Sequence, residues 1–156
     1  MNSMKGHKLK NGILLVDKPR GMTSHEAVLY AKRRFKAVKA GHTGTLDPVA
    51  SGVLMIALNE AVKAMPLLAG LEKEYEGRMR LHGDIGRSDI IRTFGRFVGS
   101  VEQKPPKKSA VKRVKRKRHV YSLEILDVRG RTIEFRVRCE AGFYVRKLAS
   151  DIGEAL

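Results

Sequence analysis

A single carboxylate, Asp47, sits in the run Gly41-His42-Thr43-Gly44-Thr45-Leu46-Asp47-Pro48-Val49-Ala50-Ser51-Gly52, where residue types and spacing restrict how it is presented. Glycines at 41, 44 and 52 permit backbone angles and close approaches that a side chain forbids. Pro48 fixes its own φ and biases Asp47 away from the α region. The loop therefore aims its acid in one direction, and a directed carboxylate can do nucleophilic or proton-transfer chemistry. The same Asp-Pro pair also makes an ordinary turn, through local hydrogen bonding and a preset φ.

Composition narrows the partner. The 156 residues suit one domain and are enough to bury a core. Against 16 Asp+Glu stand 32 Lys+Arg, a formal charge of +16 that favours a polyanion, nucleic acid first. There is no long apolar run, no signal-peptide pattern and no basic amphipathic helix with large aromatics, so a membrane is not the expected partner. The one cysteine, Cys139, has no neighbours at zinc-ligand spacing and reads as a small buried residue in a strand. No P-loop, dinucleotide fingerprint or internal repeat is present. The chain reads as soluble and intracellular.

The elements that must hold the loop follow from pattern. Residues 1–11 read as a basic arm without periodicity. Ile13-Leu14-Leu15-Val16 is a strand entering the turn Asp17-Lys18-Pro19-Arg20-Gly21. Thr23 or Ser24 caps a helix with Ala27, Val28, Ala31 and Phe35 on one face. Gly52 to Leu58 is apolar enough to be the central strand of a sheet, and Asn59 caps a short helix carrying Ala61, Val62, Met65 and Leu68. Lys73 to His82 alternates, with Tyr75, Gly77, Met79 and Leu81 facing inward. A helix from Ser88 buries Ile90, Ile91, Phe94 and Phe97. Between Lys104 and His119 lie nine Lys/Arg and no acid, either a solvated segment or a phosphate-tracking strip. Val120–Val128 and Thr132–Cys139 form a hairpin, and Phe143 to Gly153 a helix with Val145, Leu148, Ala149 and Ile152 inward. The class is α+β, a mixed, largely antiparallel sheet with flanking helices.

Three separated segments resemble, in order, the signature stretches of TruB/dyskerin-type RNA pseudouridine synthases. They are Lys18-Pro19-Arg20-Gly21-Met22-Thr23-Ser24, the Gly41–Gly52 loop, and Glu140-Ala141-Gly142-Phe143-Tyr144-Val145-Arg146-Lys147-Leu148; Lys73-Glu74-Tyr75 matches a fourth. Leu81-His82-Gly83-Asp84 and Pro105-Pro106 followed by Ser109-Ala110-Val111-Lys112-Arg113 are closest to the archaeal and eukaryotic, dyskerin-like branch. The resemblance implies that residues 12–156 form the pseudouridine synthase catalytic domain. It implies isomerisation of uridine in RNA with no cofactor and no metal. Asp47 takes the role of catalytic acid group, with either attack at C1′ or assistance to a glycal open to it. A carboxylate under a base needs a cation to stay charged, and the resemblance gives that place to Arg146. Tyr75 corresponds to the tyrosine that stacks on the target uracil and is proposed to help remove its C5 proton. His42 corresponds to a residue beside the displaced base, Lys18 and Pro19 to braces of the loop, Leu148 to an apolar wall beneath the base, and Lys112 and Arg113 to substrate contacts.

In the dyskerin-like branch target choice comes from an H/ACA guide RNA and small protein subunits, so those partners are implied, for rRNA or tRNA substrates. The cytoplasm, or the nucleolus in a eukaryote, is the expected compartment. The sequence shows neither the Leu-Arg-Arg-Thr-type segment that completes the family's catalytic domain nor a PUA domain, and a shortened domain with weak RNA capture is expected. Two rivals are a stand-alone synthase of the tRNA TΨC loop and a non-catalytic RNA-binding protein.

Overall fold

The computed structural model describes residues 11–105 and 114–156. Most of the expected N-terminal arm, and Lys112 and Arg113, lie outside the described residues. By contact the chain divides into two compact units, residues 1–70 and 71–156.

In the first unit, strands β1 (Gly12–Lys18), β2 (Ala40–His42) and β3 (Gly52–Leu58) form an antiparallel sheet in the order β1-β3-β2. The apolar run at 52–58 is the central strand, as its composition requires. Helix α1 (Ser24–Arg34) covers one face, burying Ala27, Val28 and Ala31 against Leu54, Ile56 and Leu58. Thr23 caps it in a capping box: its Oγ1 accepts from Glu26 N at 3.1 Å and its own N donates to Glu26 at 2.7 Å. Lys32, Arg33 and Arg34 fill the last turn, where the helix dipole favours cations.

The short helix expected after Asn59 is a 3₁₀ segment (Asn59–Ala64) followed by α2 (Met65–Ala69), and neither buries a residue. Asn59 does not cap it. With φ of 53°, it turns its side chain back to accept hydrogen bonds from Val38 N (2.8 Å) and Lys39 N (3.1 Å), which fixes the approach to β2.

In the second unit, β4 (Lys73–Arg80), β5 (Gly99–Gln103), β6 (Arg116–Arg129) and β7 (Thr132–Cys139) form an antiparallel sheet in the order β4-β7-β6-β5. Helices α3 (Arg87–Gly95) and α4 (Val145–Ala155) close its apolar face over Met79, Ile90, Phe94, Val120, Ile133, Phe135, Val137, Leu148 and Ile152. Opposite Phe135 in the register, Gly77 makes room for its ring: a Cβ there would lie 2.6 Å from it. Ile91, expected in this core, is 55% exposed, because it stands one helical step off the face shared by Ile90 and Phe94. The basic run is partly strand, since β6 begins at Arg116. The α+β class and antiparallel sheet are as expected; β2 and β5 are additions.

Cys139 is wholly buried at the end of β7. Burial pushes its thiol from 9.0 up to about 11, with the Lys73 ammonium acting weakly against this. Native Cys139 should therefore resist iodoacetamide at mildly alkaline pH while the denatured chain reacts, because the thiolate is the nucleophile. Between about pH 9 and 11 the unfolded chain gives up this proton and the folded chain keeps it. Stability is thus retained below pH 9 and falls across that window. Denaturant titrations of wild type and Cys139→Ala across it should differ in slope; parallel curves would show that the thiol is not shielded.

Candidate active site

The Asp47 loop is fastened at three points within the first unit. Ser24, 3% exposed at the start of α1, accepts from Leu46 N at 2.9 Å and donates to Leu46 O at 3.0 Å. Gly21 N donates to Pro48 O at 2.7 Å, from a backbone with φ of 86° that favours glycine. Lys18, wholly enclosed at the end of β1, donates from Nζ to the carbonyls of Pro19 (2.9 Å), Met22 (2.7 Å) and Ala50 (2.6 Å). Ala50 N in turn donates to Asp47 O at 3.0 Å, closing the turn that carries the acid. Residues on both flanks of Asp47 are thus tied to the strand and helix beside them, and the half-buried carboxylate is presented from a preorganised turn.

Of the two candidate caps, Thr23 caps the helix and Ser24 instead clamps the loop. Gly52 has φ of 127°, and a Cβ on Gly41 would meet Met65 Sδ at 2.8 Å. Gly44 has neither a required angle nor a close neighbour within 4 Å. His42 ends β2 opposite Ile56, and its Nδ1 is buried with no hydrogen-bond partner among the described residues.

The second unit carries the other expected residues. Tyr75 stands on β4 opposite Val137, on the apolar face and half-buried against its core. Burial, with a smaller contribution from Cys139, raises its phenol above the ordinary value, so near neutrality it is an uncharged donor with an aromatic face. Arg146 lies in the first turn of α4 and is exposed. No side chain caps α4. Its entry is held instead by Gln103, 2% exposed at the end of β5, whose amide accepts from Tyr144 N (2.9 Å) and donates to Tyr144 O (3.1 Å).

Lys18, expected to brace the loop, and Leu148, expected as an apolar wall beneath the base, are both wholly buried. Lys18 uses its donors on three backbone carbonyls, and Leu148 lies in the core of the second unit at 0% exposure. Pro19 is exposed and contributes its carbonyl to the Lys18 bracket. Ser24 and Gln103 were not among the expected residues.

Residues 32–145 match the family described as TruB family pseudouridylate synthase (N terminal domain). The chain belongs to the TruB family. This TruB-family chain is 49% identical over 148 residues to the probable tRNA pseudouridine synthase B of Methanocaldococcus jannaschii, covering 95% of this chain and 44% of the relative. It is 47% identical to the protein of the same description from Archaeoglobus fulgidus, covering 95% and 46%. Among solved structures it resembles a chain in a crystal structure of a Cbf5-Nop10-Gar1 complex, with 48% identity, a TM-score of 0.88, and coverage of 93% of this chain and 44% of that one. It also resembles a chain in an H/ACA RNP bound to a substrate RNA containing 2′-deoxyuridine, with 43% identity, a TM-score of 0.83, and coverage of 93% and 43%. The TruB-family chain therefore spans under half the length of these relatives.

Proposed function

We propose that this chain carries the catalytic domain, residues 12–156, of an enzyme that isomerises uridine in RNA to pseudouridine. The observation that carries the reading is the thrice-fastened Asp47 turn within the stretch matched to the TruB family. In the reaction the N1–C1′ bond breaks, the C5–C1′ bond forms, C5 loses a proton and N1 gains one. Asp47 assists at the sugar, by attack at C1′ or by helping a glycal form. Tyr75 offers its ring to the uracil, and its neutral phenol is placed to take part in the C5 proton transfer only as a hydrogen-bonding group until a base takes its own proton. Arg146 is the cation assigned to the carboxylate, since a guanidinium can hold it bidentately without titrating. His42 fills the place beside the displaced base. These roles rest on the family resemblance, residue by residue.

The similarity to chains solved in H/ACA and Cbf5-Nop10-Gar1 assemblies supports a catalytic subunit that takes its target from a guide RNA and small protein subunits. The relatives described as tRNA pseudouridine synthase B favour a second reading, direct action on tRNA. Among the described residues no helix is long and apolar enough to cross a membrane, and the reading puts the protein in the cytoplasm with its RNA.

The test is tritium release from C5-tritiated uridine, first in a bare tRNA transcript and then with an H/ACA guide RNA and its protein subunits. Release from the bare transcript supports direct action, and release only in the assembled particle supports the guided subunit. RNA binding with no release in either setting returns the chain to a non-catalytic binding role.

A further inference from the structure

The inner face of the second unit's sheet changes character at one end. From Ile133 through Val137 and Cys139 to Val120 it is apolar and closed by helices. Two residues before Val120 on β6 comes Arg118, opposite Val101 of β5, and two before that Arg116, opposite the buried Gln103. Strand alternation puts both arginines on the face that elsewhere forms the core. They line a cavity of about 100 Å³ with Gln103, Pro105, Gly142 and Tyr144. Guanidinium groups do not prolong an apolar face without a reason, and the cavity has room for one phosphate group.

The hydrogen bonding of Arg118 says more. Nη1 donates to Glu140 Oε1 at 3.1 Å and more weakly to Lys117 O at 3.4 Å. Nε is buried without a hydrogen-bond partner among the described residues. The Nε–Nη2 edge, the fork that suits two oxygens of one anion, faces Gly142. A Cβ at that position would stand 3.4 Å from Nε and 3.6 Å from Nη2, in ordinary van der Waals contact with that edge. Arg116 is exposed and has no ion pair among the described residues. Glu140 is the acid facing Arg118, and its other oxygen is taken by His119 N at 3.0 Å. One guanidinium is thus partly neutralised and its neighbour is not.

We propose that Arg116 and Arg118 form a subsite for one backbone phosphate of single-stranded RNA, flanking the target nucleotide. This rests on the RNA reading above. Tyr75 occupies the same face, two strands across and four residues along, which ordinary strand spacings make roughly 16 Å from Arg118. That is too far for contact with the base on Tyr75 and suits a phosphate further along the same strand. The unpaired Nε shows that the hydrogen bonding of Arg118 is not complete within the protein, since buried donors are rarely left unmatched.

The test measures binding of a short uridine-containing oligoribonucleotide to the full chain as a function of salt. Arg118→Gln should weaken binding about tenfold and reduce the slope of log K against log salt by roughly 0.7, the value for one contact on a single strand. Arg116→Gln, on an exposed side chain with no fold to disturb, should act in the same direction. A neutral methylphosphonate at the flanking position should weaken wild type similarly and add little to Arg118→Gln, as coupled partners do. Wild-type affinity and slope in both variants, or fully additive losses with the methylphosphonate, would overturn the subsite while leaving the RNA reading intact. Absence of any RNA binding by wild type would overturn both. Saturable binding of inorganic phosphate, lost in Arg118→Gln while RNA binding stays unchanged, would assign the cavity to a free anion and also overturn the proposal.

Discussion

Asp47→Asn is expected to abolish tritium release, lowering the rate at least about a thousandfold, while RNA affinity changes by less than about twofold. The substitution keeps size and shape and removes only the charge. The bond that closes the turn runs from Ala50 N to the backbone carbonyl of residue 47, which asparagine keeps. Its flanks are held by Ser24, Gly21 and Lys18 through bonds to the backbone of Leu46, Pro48 and Ala50, which the substitution leaves in place. Asparagine is itself at home in turns. Loss of activity in a variant that melts with wild type would therefore report chemistry and not misfolding. Retained release would reduce Asp47 to a turn residue. Lost binding in a protein with no wild-type release would favour an RNA-binding module whose acid helps hold the loop.

The restrained loop was legible because its restraint is local. Glycine and proline act on the backbone where they stand, and an apolar run such as Gly52–Leu58 declares a central strand by composition. Elements that borrow their structure from neighbours left little mark. Ala40-Gly41-His42 has poor strand propensity and is a strand because β3 pairs with it; Gly99–Gln103 is short and polar and is held by β6. The same holds for the clamps. Lys18 reaches Ala50 across 32 positions and Ser24 reaches Leu46 across 22, so neither partner can be read from spacing. Lys18 sits in a turn signal that normally implies an exposed lysine, and only the fold shows its ammonium turned inward. Gln103 likewise becomes meaningful only when β5 delivers it to Tyr144. Ile91 differs for the opposite reason: its apolar type suggests burial, whereas the helical period places it outside.

Lys18→Met should be the costliest substitution for the loop itself, lowering stability by about 2–4 kcal/mol and slowing tritium release at temperatures where the protein is still folded. Methionine retains most of the apolar stem, so the loss falls on the ammonium. Three partly buried carbonyls, of Pro19, Met22 and Ala50, then lose a shared donor. Each unsatisfied buried polar group costs about 1–3 kcal/mol, and relief from burying a lysine charge offsets part of the sum. Arginine should rescue poorly, because a planar fork cannot converge on three carbonyls as a tetrahedral ammonium does. The effect should be local in the first unit: amide exchange at Ala50 should rise, since its N–H closes the Asp47 turn. Tyr144 N, held by Gln103 in the second unit, should keep its protection. Equal melting temperatures and unchanged exchange at Ala50 would mean that the Lys18 bracket is dispensable, and that Ser24 and Gly21 alone are enough to hold the acid in place.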